Sequence, residues 1–313
     1  MPTIRRRLLL ALAAAPFLFL SPVGARAEAP LRVVATFSIA ADWVRQVGGD
    51  RVEVTALIGP DADAHGYQPK PSDTRALKEA SLVVGIDLGF DDWVERLARS
   101  VGKKPIVMLG ELLPPEDLLP AGETHDEHDD DHHHGAFDPH FWQDPRLVAK
   151  VMPMLAEALA QRDPAHADDY RRRAADYARS LESLWHTWNE RFATLPPESR
   201  RAYTNHDAFR YLARAYGLEL IGIQGVVPHG ELSAKALAAL SDRARREGIH
   251  VAFLENVSDP RLVEQLRREA GLTVGGRLYS DALSGPGGAA PTYRDLVEIN
   301  ARTLHDALAA PNP

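Results

Sequence analysis

The sequence predicts an α/β protein of two similar lobes, each a mainly parallel sheet flanked by helices, joined by one long rigid helix. Its 313 residues suit two domains of ordinary size. Short apolar, β-branched runs alternate with helical stretches along both halves of the chain, which indicates parallel sheets covered by helices. Residues 166–194 contain neither Gly nor Pro and carry a helical apolar stripe, which predicts the joining helix.

The first 27 residues have the pattern of a secretory signal peptide. Arg5 to Arg7 precede an apolar run at 8–20, and Ala25-Arg26-Ala27 is a small-x-small cleavage site. We expect cleavage after Ala27 and a periplasmic location. The chain has no cysteine, so we expect no disulfide, no thiolate metal site and no lipid anchor on an N-terminal Cys. The mature protein should diffuse freely and not be a lipoprotein.

The charge of the chain argues against nucleic acid as a partner. Acidic residues outnumber basic ones, 44 to 36, which gives a formal charge of −8. Loss of the predicted leader leaves 32 basic against 44 acidic residues, a charge of −12. Sequence-independent binding of nucleic acid needs a basic surface, so cations are the more natural partners.

Residues 28–163 are predicted to form the N-terminal lobe. Its predicted strands are four short apolar runs, at 31–36, 52–58, 82–86 and 105–109. Helical periodicity fills the intervals at 39–47, 72–80 and 90–99, with Ser72 as a candidate N-cap. This alternation calls for a parallel sheet. After a loop at 111–139, a further helix is predicted over 145–161.

Residues 164–197 are predicted to form the linking helix. Its apolar side chains recur at spacings of three and four: Tyr170, Ala174, Tyr177, Leu181, Trp185, Trp188 and Phe192. At about 1.5 Å per residue, the 29 residues of 166–194 would reach about 43 Å, enough to lie along both lobes. A coiled-coil partner helix is the alternative explanation of such a stripe.

Residues 198–313 repeat the alternation and are predicted to form the C-terminal lobe. The predicted strands are 201–204, 218–223, 250–255 and 272–278, and the predicted helices are 207–216, 233–247, 259–270 and 292–309. Gly217, Gly248 and Gly271 stand where three of these helices should end, the usual place for a left-handed C-cap.

Four loops at the predicted strand ends carry candidate metal ligands. In the first lobe, His65 lies after the second strand and His140 after the fourth. In the second lobe, His206 follows the first strand and Asp281 the last. Ligands of open α/β sheets bind beyond the carboxyl ends of the strands. Neutral imidazole and ionised carboxylate suit a borderline divalent ion, so these positions predict a metal site.

Each candidate ligand alone has a plainer explanation. A single His in a strand-end loop is more often a hydrogen-bonded loop residue, and Asp281 could be a turn former or helix cap. Together, three His and one Asp would complete a tetrahedral zinc site. Binding through both oxygens of Asp281 would make the site five-coordinate and manganese more plausible. A site closed by protein ligands holds metal and does not readily catalyse.

Four motifs taken together resemble the ZnuA/TroA-type solute-binding proteins of zinc and manganese ABC transporters, including their AztC branch. The motifs are DAHGYQPKPSD (63–73), DPHFWQDP (138–145), NHDAFRYLARAYGL (205–218) and LYSDALS (278–284), with Tyr293 and Asn300 in the last helix. The resemblance covers essentially the whole mature chain. One departure is Leu232, where the family usually has Pro between Glu and Ser.

The resemblance implies a metal ion bound between the lobes by His65, His140, His206 and Asp281. A His at position 206, where manganese-specific members tend to have Glu, is the zinc-preferring pattern. The implied ligand is Zn²⁺ as transported ion, with Mn²⁺ as the alternative. The implied partner is an ABC permease of the inner membrane, a periplasmic zinc chaperone is a further candidate, and we expect a monomer.

The segment 123–135 is a second candidate for metal binding, because it is crowded with histidine and acid. Its histidines are His125, His128, His132, His133 and His134. The composition is typical of a flexible, metal-attracting segment, and the resemblance raises that interpretation because zinc-binding members often carry such a loop here. We expect weak zinc capture near the cleft. A solvated acidic loop without a role is the alternative.

Four acids could support the site. Asp63, Asp138 and Asp144 lie close to candidate histidines and could orient them as hydrogen-bond acceptors, or could cap the following helices. Glu255 ends a predicted strand and could line the cleft, or could be a buried carboxylate paired with an Arg.

The leading functional hypothesis is a periplasmic zinc-binding subunit that captures the ion and passes it to a permease; it would not be an enzyme. An exported zinc hydrolase is the second hypothesis, although the chain contains no HExxH, GxSxG or Walker motif. A zinc store whose main site is the His-rich segment is the third.

Overall fold

A computed structural model describes residues 29–102, 104–121, 135–225 and 233–311. The predicted signal peptide and the five histidines of the His-rich segment lie outside the described residues. Within the described ranges, eight strands form two four-stranded parallel sheets, and in each sheet the strands lie in the order second, first, third, fourth along the chain. The equal strand order in the two sheets confirms the prediction of two similar α/β lobes.

The N-terminal sheet has the predicted strands, displaced by a residue or two at their ends. They are β1 (Leu31–Phe37), β2 (Val52–Ile58), β3 (Leu82–Gly85) and β4 (Ile106–Met108), and the helices between them are α1 (Ser38–Gly48), α2 (Pro71–Glu79) and α3 (Trp93–Ser100). The central strands β1 and β3 are buried on both faces, as their valine-rich sequences require.

The start of α2 differs from the prediction. Lys70 is the N-cap and Pro71 the first helical residue, so the assignment of Ser72 as N-cap was wrong. Asp73 Oδ2 accepts a 2.6 Å hydrogen bond from the Lys70 backbone N–H, which satisfies that donor from inside the first turn. Proline at the first helical position needs no donor of its own, which explains the earlier start.

Two long helices follow the N-terminal sheet along the chain. They are α4 (Pro145–Arg162) and α5 (Ala167–Ala193). The predicted linking helix is confirmed: α5 has 27 residues and packs against α1 and α4 of the N-terminal half and against two helices of the C-terminal half, α6 (Arg210–Tyr216) and α9 (Tyr293–Ala309). Its buried face contains the predicted residues, except that Leu184 is buried and Trp185 is half-buried. Because this face is covered within the chain, a coiled-coil partner is not needed.

The C-terminal lobe also follows the prediction. Its strands are β5 (Arg201–Thr204), β6 (Glu219–Gly222), β7 (Val251–Glu255) and β8 (Thr273–Leu278), and its helices are α6 (Arg210–Tyr216), α7 (Ala234–Glu247), α8 (Arg261–Ala270) and α9 (Tyr293–Ala309). Gly217, Gly248 and Gly271 end α6, α7 and α8 with φ of 67°, 67° and 73°, the left-handed conformation that favours glycine.

The two lobes share one hydrophobic cluster. It runs from β1 and α1 through the buried faces of α4 and α5 to α6 and α9. The large buried side chains Trp142, Trp188 and Tyr293 belong to it. In the part of the chain that the structure describes, no helix has the length and apolar character to cross a bilayer. The lobe boundaries at 163/164 and 197/198 stay predictions.

Candidate metal site

The four candidate ligands meet where the carboxyl ends of the two sheets face each other. His65 lies in the loop after β2, His206 directly follows β5 and Asp281 follows β8. His140 does not follow β4 directly, but stands before a short 3-10 turn (Phe141–Gln143) that leads into α4. The two sheets therefore present their strand ends to a common cleft, as expected for a ligand site in α/β folds.

The ligand atoms are close enough to share one ion. His65 Nε2 lies 3.4 Å from His140 Nε2 and 3.4 Å from Asp281 Oδ2. Asp281 Oδ1 lies 3.5 Å from His140 Nε2, and Asp281 Oδ2 lies 3.2 Å from His206 Nε2. One ligand atom from each of the four residues lies within 4.8 Å of the others. A tetrahedral ion with bonds of about 2.0–2.1 Å has ligand atoms about 3.3–3.4 Å apart. The four distances of 3.2–3.5 Å fit this geometry.

Several of these atoms are buried without a hydrogen-bond partner among the described residues. They are His206 Nε2 and both carboxylate oxygens of Asp281. His206 is fully buried and Asp281 is 1% exposed. An ionised carboxylate is costly to bury without donors or a cation, so this arrangement suits a positively charged ion between the three imidazoles and the carboxylate.

Two of the histidines are held by buried acids. Asp138 Oδ1 lies 2.8 Å from His140 Nδ1 and accepts the His140 backbone N–H at 3.0 Å. Glu255 Oε2 lies 2.6 Å from His206 Nδ1, while its Oε1 accepts the His206 backbone N–H at 3.0 Å. An Nδ1–H directed at a carboxylate leaves the Nε2 lone pair for a metal, so these contacts favour the metal-binding tautomer of both rings.

Asp63 and Asp144 are placed differently. Asp63 Oδ1 accepts the backbone N–H of His65 at 2.9 Å and so shapes the loop, while its contact is with the backbone and not with the ring. Asp144 is the N-cap of α4, accepting the backbone N–H of Arg146 and pairing with its guanidinium at 2.7 Å. Of the two roles that the sequence allowed for Asp144, these contacts are those of the helix cap.

Burial and the neighbouring charges set the protonation of the site. Burial opposes a charged His206, but the carboxylates of Glu255 and Asp281 outweigh it and raise the pKa of His206 well above 6.5. Burial likewise opposes ionisation of Asp281, yet the charges of His206 and His140 hold its pKa well below 3.8. At His65 burial dominates and lowers the pKa.

Hydrogen bonds across the cleft tie the site together. The Trp142 indole N–H donates to Ser280 O at 2.8 Å, and the Gln143 amide donates to the same oxygen at 2.7 Å. Tyr293 OH donates to Trp142 O at 2.6 Å. The segment beside His140 is thereby fastened to the segment beside Asp281. Tyr293 and Asn300, noted from the sequence, both serve this junction, since the Asn300 amide donates to Tyr279 O at 2.8 Å.

Three residues near the site were not identified from the sequence. The Phe90 ring packs edge-on against His65, with centroids 5.3 Å apart. Arg210 Nη1 lies 3.4 Å from Asp138 Oδ2 and donates to Pro120 O at 2.7 Å. Asp61 contacts the segment after Asp281. Phe90 lies outside the four motifs, Asp61 lies in the loop after β2 but two residues before the first motif, and Arg210 inside α6 has no distinguishing spacing.

The described residues on either side of the His-rich segment pair with each other. The chain on its two sides is paired, with the Ala121 N–H donating to Ala136 O at 3.0 Å and a bridge between Pro120 and Phe137. The same stretch leads into Asp138 and His140. Zinc capture by the His-rich segment stays a prediction, because its histidines lie outside the described residues.

Comparison with known proteins points to one family. Residues 33–307 match the ZnuA family, described as zinc-uptake complex component A, periplasmic. The manganese-binding lipoprotein MntA of Bacillus subtilis is 31% identical over 291 residues, which are 91% of this chain and 92% of MntA. The iron-binding protein YfeA of Yersinia pestis is 30% identical over 273 residues, 87% of this chain and 85% of YfeA.

A solved structure shares the architecture. The periplasmic zinc-binding protein TroA of Treponema pallidum superposes with a TM-score of 0.79 at 28% identity, covering 90% of this chain and 100% of TroA. The names of these three proteins give three different metals. The comparisons therefore establish the kind of protein and leave the identity of its metal to the chemistry of the site.

Proposed function

This chain belongs to the ZnuA family of metal-binding solute-binding proteins of ABC transporters, and we propose that its ion is zinc, captured between the lobes for import. The protein binds a divalent metal, and the family works with ABC permeases. It is a family of binding proteins and not of enzymes, so the zinc hydrolase hypothesis is set aside.

The observation that carries the zinc proposal is the donor set. The Nε2 atoms of three histidines lie 3.2–3.5 Å from the carboxylate oxygens of Asp281. The Nε2 atoms of His65 and His140 lie 3.4 Å from each other. Zinc favours four nitrogen and oxygen ligands in a tetrahedron, and among divalent ions of the first row it exceeds manganese in affinity for such sites. Two imidazoles held by Asp138 and Glu255 support high affinity.

Manganese is the second candidate, for one specific reason. Both oxygens of Asp281 face the imidazoles, Oδ1 towards His140 and Oδ2 towards His65 and His206. Bidentate binding would give five ligands and suit a harder ion. The manganese-binding name of MntA is consistent with this alternative.

We propose that the protein acts in the periplasm, as a monomer, and delivers its ion to an inner-membrane permease. The junction around Trp142 and Ser280 would limit spontaneous opening, so release would require contacts with the permease that favour a more open state. Loading by a periplasmic zinc chaperone is part of the same proposal.

The mature N terminus is also a proposal. Cleavage after Ala27 would leave a protein without a lipid anchor, whereas MntA is named a lipoprotein and gives this point no support. The intact mass of the protein purified from membrane and soluble fractions of the native host would decide it. A mass matching residues 28–313 is expected in the soluble fraction, and a lipid-modified mass in the membrane fraction would contradict the expectation.

Metal analysis and competition titration on the mature protein test the zinc proposal. We expect one tightly bound zinc per chain, with manganese bound more weakly, as the general order of divalent-ion affinities predicts. His140→Ala should lose the tight site, whereas His186→Ala, at an exposed position of α5, should retain it. Tighter binding of manganese would favour the second candidate.

A further inference from the structure

The four ligands are held in two different ways. For His140 and for His206, one buried carboxylate contacts ring Nδ1 and also accepts the backbone N–H of the same residue. For His65, Asp63 accepts the backbone N–H, and the only acid that the described contacts place beside its ring is the candidate ligand Asp281. The Asp281 oxygens accept no hydrogen bond among the described residues. His65 and Asp281 are therefore positioned by the loops that carry them, here called the His65 loop (59–70) and the Asp281 loop (279–285).

Asp61 joins these two loops directly. Its backbone N–H donates to Leu283 O at 2.8 Å, and its Oδ2 accepts the Gly285 backbone N–H at 3.0 Å. Asp61 is exposed, so both bonds lie at the outer side of the loops. Its φ of 53° is left-handed, a conformation that Asp and Asn tolerate better than most residues. This geometry directs the N–H and the carboxylate to the same opposing segment.

We propose that Asp61 is a positioning residue that couples the His65 and Asp281 loops and thereby sets the rate at which the metal ion leaves. The inference rests on the proposed function. The carboxylate-held histidines stay in place, while the two loops must part for His65 and Asp281 to separate. Breaking the Asp61 contacts is then a step of release. Because Asp61 lies on the exposed outer side of the loops and is not one of the four ligands, we expect these contacts to affect capture less than release.

Three variants isolate this role. Asp61→Gly removes the carboxylate and accepts the left-handed φ without strain. Asp61→Asn keeps an oxygen acceptor for Gly285 and tolerates the same φ. Gln68→Gly adds a glycine at another exposed position of the His65 loop, so it reports the effect of loop flexibility alone.

The measurement is stopped-flow release of zinc from the loaded mature protein into excess chelator, with association measured separately. A lost surface hydrogen bond predicts release about fivefold faster in Asp61→Gly, with the association rate within about twofold of wild type. Asp61→Asn and Gln68→Gly should both release within about twofold of wild type, since neither loses the acceptor. The melting temperature of the metal-free variants should stay close to that of the parent.

Each contrary outcome overturns the inference. Zinc release from Asp61→Gly at the wild-type rate would show that the Asp61 contacts do not control the departure of the ion. An equal acceleration of release in Gln68→Gly would show that loop flexibility is the cause. Zinc release from Asp61→Asn as fast as from Asp61→Gly would exclude the role of Asp61 as a hydrogen-bond acceptor. If the wild-type protein binds no zinc at the four ligands, the proposed function itself fails, which the same titrations show separately.

Discussion

Glu255 holds His206 at two points. Its Oε1 accepts the backbone N–H at 3.0 Å and its Oε2 lies 2.6 Å from ring Nδ1, while Ser258 Oγ donates to Oε2 at 3.0 Å. Both side chains are fully buried. The orientation of the His206 ring is therefore established by the fold, before any ion arrives, and a binding protein gains affinity from such prepared ligands.

Removing the charge of Glu255 should weaken metal binding. Glu255→Gln retains the size of the side chain but replaces the charged acceptor of the His206 Nδ1–H with a neutral amide. The loss of this charge lowers the basicity of His206 Nε2, the nitrogen that would bind the metal. We expect zinc affinity to fall about tenfold, in line with other residues that orient metal-bound histidines. Competition titration measures this, with Glu190→Gln at an exposed position of α5 as the control. Equal affinities for all three proteins would refute the role of Glu255.

Zinc affinity should decrease as the pH falls, beginning above the ordinary pKa of histidine. Burial opposes protonation of His206, but Glu255 and Asp281 outweigh it and raise its pKa well above 6.5, so near neutral pH zinc must displace a proton. Below that raised pKa, each pH unit should cost about tenfold in affinity for one proton released. Burial lowers the pKa of His65, so protonation of this ring should reduce zinc affinity only at lower pH.

Calorimetry in buffers of different ionisation enthalpy counts the protons released by zinc. We expect about one per zinc near neutral pH, as one protonated ligand requires. The count should fall in Glu255→Gln, because the carboxylate that raises the His206 pKa is gone. Zinc binding without proton release, or affinity independent of pH, would contradict the protonation described for the site.

The junction between the lobes should depend on Tyr293. Tyr293→Phe removes the 2.6 Å hydrogen bond to Trp142 O and leaves that oxygen buried without this donor. We expect a loss of about 1–3 kcal/mol in the free energy of unfolding. Urea denaturation of the metal-free protein measures it. Tyr177→Phe is a matched control, since the Tyr177 hydroxyl is buried with no hydrogen-bond partner among the described residues. Similar effects of both substitutions would show that the hydrogen bond is not the cause.

Deletion of residues 123–134 separates transport from storage. If the His-rich segment captures zinc weakly near the cleft, the deletion variant should keep one tight zinc and lose the weaker ions. The pairing of Ala121 with Ala136 and of Pro120 with Phe137 brings the cut ends together, so the rest of the fold should tolerate the loss. Equilibrium dialysis over a range of zinc concentrations counts both classes. Absence of the tight ion after deletion would support the store instead.

The fold and the ligand set were predictable because both follow local rules. Apolar runs and left-handed glycines such as Gly217 mark element ends directly, and the strand-end rule selected His65, His206 and Asp281. Whether these residues bind metal stays a prediction that the geometry supports.

What the sequence could not supply are contacts between distant segments. Asp138, Asp144 and Asp63 look alike beside their histidines, yet one orients a ring, one caps a helix and one shapes a loop. Asp61 has no motif of its own, since its role depends on Leu283 and Gly285 lying opposite. Such pairings arise only when the two sheets face each other.

X-ray absorption spectroscopy at the zinc edge tests the central claim most directly. On mature protein loaded with one equivalent of zinc, we predict four nitrogen or oxygen ligands at about 2.0–2.1 Å, with the outer-shell scattering of three imidazoles. In His206→Ala the spectrum should lose one imidazole. A zinc spectrum with fewer than three imidazoles in the parent protein, or one unchanged by His206→Ala, would contradict a site built from His65, His140, His206 and Asp281.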